Sequence, residues 1–151
     1  ARGVAAHRLI FGAEEPYDAY LARYRHADLF LDTAPFNGGA TVSDAVSMGV
    51  PVLTCAGESF SSRMAGSILT ALGLSDLVTH TLDEYLERAL QLAADRARLR
   101  QLRHMLTQHR GSGFFDTDRY RIGLESAYTA MWERGVAGLP PADITIPAPP
   151  L

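Results

Sequence analysis

Residues 27–55 read Ala27-Asp28-Leu29-Phe30-Leu31-Asp32-Thr33-Ala34-Pro35-Phe36-Asn37-Gly38-Gly39-Ala40-Thr41-Val42-Ser43-Asp44-Ala45-Val46-Ser47-Met48-Gly49-Val50-Pro51-Val52-Leu53-Thr54-Cys55. The stretch opens on a short apolar run, Ala27–Asp32, of strand character. Turn formers follow at Pro35-Phe36-Asn37-Gly38-Gly39. From Ala40 to Met48 the apolar residues Val42, Ala45 and Val46 recur at helical spacing, and Gly49 suits the left-handed position that closes a helix. Pro51–Cys55 is a second apolar run, with proline at its first position, where a missing N–H is tolerated. Strand, loop, helix and strand in that order make one unit of a parallel sheet.

The alternation extends in both directions. Upstream, Arg8-Leu9-Ile10-Phe11 reads as a buried strand stopped by Gly12. Pro16 suits the first turn of a helix, whose face carries Tyr17, Tyr20, Leu21 and Tyr24. Downstream, Met64, Ile68, Leu69 and Leu72 mark a helix ended by Gly73, and Leu77-Val78-Thr79 is a weaker strand. Thr81-Leu82-Asp83-Glu84 has the form of a capping box and opens a helix to about Ala94. Asp95 caps another, which carries Leu99, Leu102, Met105 and Leu106 and closes near Gly111. A last helix places Tyr120, Leu124, Tyr128 and Met131 inward and ends at about Arg134-Gly135, with Met131 and Trp132 read as core. The expectation is therefore an α/β chain with four strands, a parallel sheet covered on both faces, and closing helices. Residues 1–138 form the domain, and 139–151 a proline-rich extended tail.

Right-handed crossovers put the loop after each strand on one edge of such a sheet, where ligands bind in doubly wound folds. Functional residues are expected in 12–20, 32–44 and 55–63. Composition narrows the chemistry. The 151 residues are 47% hydrophobic and 21% charged, an ordinary globular balance. A net charge of −3 argues against a nucleic-acid binder working by bulk electrostatics. All 14 basic residues are Arg, which excludes Schiff-base lysine chemistry and a phosphate-loop lysine from this chain. Cys55 is the only cysteine, so no intrachain disulfide forms. With no apolar signal segment at Ala1–Ala6, the cytoplasm is the expected compartment. The chain does not begin with Met, and we read it as a piece of a longer protein.

The segment Asp32–Asp44 carries the chemistry. The first N–H groups of a helix lack internal partners and sit at its partly positive end, so they accept phosphate without metal or lysine. Gly38 and Gly39 let a ligand oxygen approach the backbone, the Thr41 hydroxyl can donate, and the Asp44 carboxylate can accept from two sugar hydroxyls. A second reading stands beside this one: a tight β–α turn capped by Thr41. Gly57-Glu58-Ser59-Phe60-Ser61-Ser62-Arg63 is another strand-to-helix entry, in which Arg63 pairs with phosphate or, as we favour, with Glu58. The five histidines lack metal-ligand spacing, the Arg96-Arg98-Arg100-Arg103 run and the Asp83-Glu84-Glu87 cluster read as solvated helix faces, and no Gly-x-Ser-x-Gly elbow is present.

His26–Thr33, Pro35-Phe36-Asn37-Gly38, Ser43-Asp44-Ala45, Met48–Thr54 and Gly57–Arg63 together resemble the nucleotide-sugar half of O-GlcNAc transferases. Gly123–Tyr128 and Met131-Trp132 are as near to the plant SPINDLY-like relatives. The resemblance covers about residues 8–138. It implies a Rossmann-like parallel sheet with flanking helices, an incomplete C-terminal domain of a GT-B glycosyltransferase that is inverting, metal-independent and directed to Ser or Thr hydroxyls. Asp44 falls on the position that binds the ribose, and Asn37, Gly38, Gly39, Ala40 and Thr41 fall on the loop that holds the diphosphate. Tyr20 falls where animal enzymes stack a His on the base, Tyr17 where they have a Lys, and the Glu15 backbone at the base edge. UDP-GlcNAc is the implied donor, and a GDP-sugar also fits, since Tyr20 would stack on either base. No cofactor or metal is implied.

Many members have His and Thr where this chain has Gly39 and Ala40, which removes an imidazole and a hydroxyl from the loop. A full domain of this kind has six strands in the order 3-2-1-4-5-6. The family's first two strands, its donor-phosphate Lys and its acceptor domain are expected upstream, with tetratricopeptide repeats that bind protein acceptors. No catalytic residue is then assigned to this chain, which alone is not expected to transfer sugar and would expose an edge beside Ala27–Asp32 that invites self-association. Two other readings are kept: a catalytically inactive nucleotide-binding or scaffold module of a repeat protein, and a GT-B sugar-nucleotide epimerase.

Overall fold

The computed structural model describes residues 3–108 and 113–147. The chain divides into two compact units, residues 1–108 and 109–151. In the first, three strands form a parallel sheet in sequence order: β1 (Phe30–Leu31), β2 (Val52–Cys55) and β3 (Val78–Thr79). Phe30 pairs with Val52 and Leu31 with Leu53, and Thr54 pairs with Val78 and Cys55 with Thr79. The helices of this unit are α1 (Tyr17–Arg23), α2 (Ala40–Ser47), α3 (Met64–Ala71), α4 (Leu82–Ala94) and α5 (Arg96–Gln108).

β2 is the axis of the unit. Val52, Leu53 and Thr54 are fully buried, as expected of a central parallel strand, and α2, α3 and α4 all pack against it. α2 presents Val42, Ala45 and Val46 to the core, α3 presents Ala65 and Leu69, and α5 presents Leu99, Leu102 and Leu106. Each such Val or Leu contributes about 1.5–3 kcal/mol by leaving water. Gly49 and Gly73 end α2 and α3 at φ of 79° and 72°, a region costly for residues with a Cβ. Thr81 and Glu84 form the full capping box at α4, and the Asp95 carboxylate accepts the Arg98 N–H at the start of α5.

Four expectations change. Arg8–Phe11 is not a strand: Ala6–Arg8 is a 3₁₀ turn, and Ile10 and Phe11 are 90% and 91% exposed. A strand needs a partner, and among the described residues the sheet stops at β1, so the apolar run has nothing to pair with. The sheet thus has three strands rather than four. The Ala27–Asp32 run is also shorter as a strand, Phe30–Leu31, in register with Val52 and Leu53, although the Asp32 N–H still donates to the Leu53 carbonyl.

The fourth change concerns the second unit, whose helix α6 (Thr117–Val136) begins with the Asp116 carboxylate accepting the Arg119 N–H. It buries none of its residues. Tyr120, Leu124, Tyr128, Met131 and Trp132, expected inward, are exposed, Trp132 by 73%. Helical periodicity marks an apolar face but not what covers it. Leu139–Pro147 has no regular structure, and the expected close of α5 near Gly111 lies outside the described residues.

Candidate functional site

The carboxyl ends of the strands bring together the three segments that the sequence singles out. The Asn37 N–H donates to the Ser61 carbonyl at 3.2 Å, and its side-chain amide donates to the carbonyls of Thr33 and Cys55, at 2.9 and 3.3 Å. These bonds join the loop after β1 to the loop after β2. Asn37 is fully buried, and its Oδ1 has no hydrogen-bond partner among the described residues. It shapes the loop from within rather than facing solvent.

Above it lies the first turn of α2. Gly39 is the residue before the helix and offers no side-chain cap. The first intrahelical bond is Ser43 N–H to the Gly39 carbonyl, so the N–H groups of Ala40, Thr41 and Val42 have no acceptor within the helix. The Thr41 hydroxyl does not cap the turn, which sets aside the capped-turn reading of that residue. A Cβ on Gly38 would lie 2.4 Å from the Thr41 Oγ1 and 3.0 Å from Val42 Cγ2, so a larger residue there would displace the side chains at the helix start. At Gly39 a Cβ would meet only the flexible end of Met64.

Beneath the loop sits Asp32, whose carboxylate is buried. Its Oδ1 accepts the Gly38 N–H at 2.8 Å and its Oδ2 accepts the Thr54 hydroxyl at 2.6 Å. The Tyr85 hydroxyl of α4 donates to the Asp32 backbone carbonyl at 2.9 Å. Burial, with the negative charge of Asp32 nearby, pushes the Tyr85 phenol up to about 12. Sequence reading assigned no role to Asp32, Thr54 or Tyr85. A carboxylate closing an apolar strand was the available signal for Asp32.

α1 completes the site. Its tyrosines form a ladder: the Tyr17 and Tyr20 rings stack with centroids 6.1 Å apart, and Tyr20 meets Tyr24 edge to face at 5.4 Å. The Tyr17 hydroxyl donates to Asp44 Oδ1 at 2.9 Å and the Tyr24 hydroxyl to the Thr41 carbonyl at 3.3 Å. Tyr17 keeps its proton above the ordinary phenol range, chiefly through the bond to Asp44. Burial raises Tyr24 further. Tyr17 thus touches Tyr20 through its ring and Asp44 through its hydroxyl, while the Glu15 carboxylate is held by Arg23 at 2.9 Å. The Glu58–Arg63 ion pair expected from sequence is not formed. Instead the Ser59 hydroxyl donates to the Ser62 hydroxyl at 2.9 Å within that loop. Among the described residues no three His, Cys, Asp or Glu side chains cluster so as to hold a metal ion.

A parallel sheet with β–α crossovers and a glycine loop at its carboxyl edge defines the class: a Rossmann-like α/β domain. The profile of glycosyl transferase family 41 matches residues 1–124, and the chain belongs to that family. It is 40% identical over 124 residues to a protein of Hordeum vulgare named as the probable UDP-N-acetylglucosamine–peptide N-acetylglucosaminyltransferase SPINDLY, covering 82% of this chain and 13% of the relative. The UDP-N-acetylglucosamine–peptide N-acetylglucosaminyltransferase of Caenorhabditis elegans is 34% identical over 145 residues, 95% of this chain and 13% of its own. In structure, a mutant O-GlcNAc transferase of Thermobaculum terrenum matches with a TM-score of 0.81 and 39% identity, over 87% of this chain and 25% of that one. The chain thus spans about 13% of the length of these curated relatives. No helix among the described residues is long and apolar enough to cross a membrane.

Proposed function

We propose that this chain supplies the donor site of an inverting, metal-independent protein O-glycosyltransferase that uses UDP-GlcNAc and acts on Ser or Thr hydroxyls. The observation that carries the reading is the uncapped first turn of α2, open at the carboxyl edge of the sheet with Asp44 one turn further on. In this reading the N–H groups of Ala40, Thr41 and Val42 and the Thr41 hydroxyl meet the diphosphate. Asp44 Oδ2 takes a ribose hydroxyl, Oδ1 being held by Tyr17. The Tyr20 ring stacks on the base, and the backbone near Glu15 faces the base edge. Asn37, Gly38 and Gly39 give the loop its shape.

The chemistry follows from charge. As an acceptor oxygen attacks the anomeric carbon, the bond to the phosphate oxygen breaks and negative charge gathers on the leaving nucleoside diphosphate. Fixed N–H donors at a helix start oppose that charge without reorganising. One helix end is worth about 0.3–1 kcal/mol toward an anion, and about 2 when partly buried. It therefore orients the diphosphate but does not bind it alone, and further cationic groups come from the part of the protein outside this chain. Residues 1–138 form the donor-binding region in this reading and 139–151 a tail. Tetratricopeptide repeats outside the chain would present protein acceptors in the cytoplasm.

The test is transfer of GlcNAc from UDP-GlcNAc to a protein acceptor by the full-length protein. Transfer that survives a chelator and is lost in Asp44→Ala supports the proposal. Transfer from a GDP-sugar instead would correct the donor. One observation favours a second reading, a catalytically inactive nucleotide-binding scaffold: Gly39 and Ala40 bring no side-chain donor to the loop. Nucleotide binding without transfer would establish it.

A further inference from the structure

We infer that Asp32 is a positioning residue for the phosphate loop, acting through the Gly38 amide; the inference rests on the donor-site reading above. The carboxylate is only 6% exposed, and among the described residues it has no cationic partner. Both of its oxygens are taken by donors on separate parts of the chain, Gly38 N–H and Thr54 Oγ1. Thr54 is itself anchored, because the Thr79 hydroxyl donates to its carbonyl at 2.9 Å. Asp32 is fixed through its backbone as well, donating to the Leu53 carbonyl at 3.0 Å and accepting from Tyr85.

The bond has a directional consequence. With Asn37 N–H committed to Ser61 and Gly38 N–H turned inward onto Asp32, the first N–H groups the chain can offer a ligand come after Gly38. The inward pull seats Gly38 so closely that a Cβ there would lie 3.3 Å from Asp32 Oδ1. It thereby fixes where α2 starts and where its free donors point. Asp32 also places a negative charge behind an anion site, opposing the anion. Hydrogen bonding and charge therefore act in opposite senses, and an isosteric change separates them.

Asparagine at this position keeps an acceptor for Gly38 and can donate to a rotated Thr54 hydroxyl, while removing the charge. In the full-length protein, Asp32→Asn is expected to bind UDP within threefold of the parent or more tightly. Asp32→Ala is expected to bind UDP at least tenfold more weakly, with uridine affinity unchanged. Hydrogen exchange at the Gly38 amide, measured without ligand, should be slow in the parent and in Asp32→Asn and fast in Asp32→Ala. A loss in Asp32→Ala shared equally by UDP and uridine would make the role generally structural and overturn the inference. Unchanged UDP binding in Asp32→Ala would do the same, as would a folded Asp32→Asn that loses UDP as severely as Asp32→Ala. A parent that binds no nucleotide defeats the donor-site reading and with it this inference, even if the exchange pattern shows that Asp32 seats Gly38.

Discussion

Gly38 and Gly39 are adjacent in sequence and unequal in structure. Alanine at 38 brings its methyl against the Thr41 hydroxyl and the buried Val42, whereas at 39 it meets only the end of Met64. Gly38→Ala is therefore expected to destabilise by about 1–3 kcal/mol, and Gly39→Ala by distinctly less, as chemical denaturation would measure. Tyr85 gives a pH-dependent counterpart. Its folded pKa lies above that of an unfolded tyrosine, so its stabilising share is complete below about pH 10 and is lost as pH rises through about 12. In Tyr85→Phe the alkaline fall in stability over that window should be shallower. Asp44 and Thr41 were nominated as candidate residues of the proposed donor site because a glycine loop entering a helix advertises its free amides. Asp32 was not, since a carboxylate at a strand end says nothing of where its oxygens point until the loop has folded back over it.

Elements were legible where the signal is local. The capping box at Thr81 is contained in four residues, and its geometry is as read: the Glu84 N–H donates to the Thr81 Oγ1 at 3.1 Å, and Glu84 Oε2 accepts from the backbone of His80 and Thr81. Thr81→Ala should cost about 1 kcal/mol of unfolding free energy. The backbone bonds from His80 and Thr81 hold Glu84 below the usual carboxylate range. The stability it contributes is thus present above the ordinary Glu pKa and lost as acid titrates through the lowered one. Glu84→Gln should flatten that acid limb. Non-local elements were less legible. Arg8–Phe11 has the composition of a strand, but a strand is made by its neighbour. The stripe on α6 has the spacing of a buried face, yet Tyr128 and Met131 remain exposed.

For the molecule as a whole, the parallel sheet and its helices followed from strand–helix alternation, and the family from several motifs in one order. The meeting of 32–44 and 55–63 at one edge follows from crossover geometry and is tied by the Asn37–Ser61 bond; residues 12–20, expected there behind a strand that does not form, are joined through the Tyr17–Asp44 bond. What the alternation could not reveal is which loop amides remain open, because that depends on the Ser61 carbonyl taking the Asn37 N–H and the Asp32 carboxylate taking the Gly38 N–H. The central claim is that the open turn of α2 and Asp44 receive a nucleoside diphosphate. Calorimetric titration of UDP, with GDP in parallel, into the full-length protein and its Asp44→Ala variant tests it most directly. Saturable UDP binding that weakens at least tenfold in Asp44→Ala is the expected result. No binding of either nucleotide by a folded parent, or equal binding by parent and variant, would contradict it.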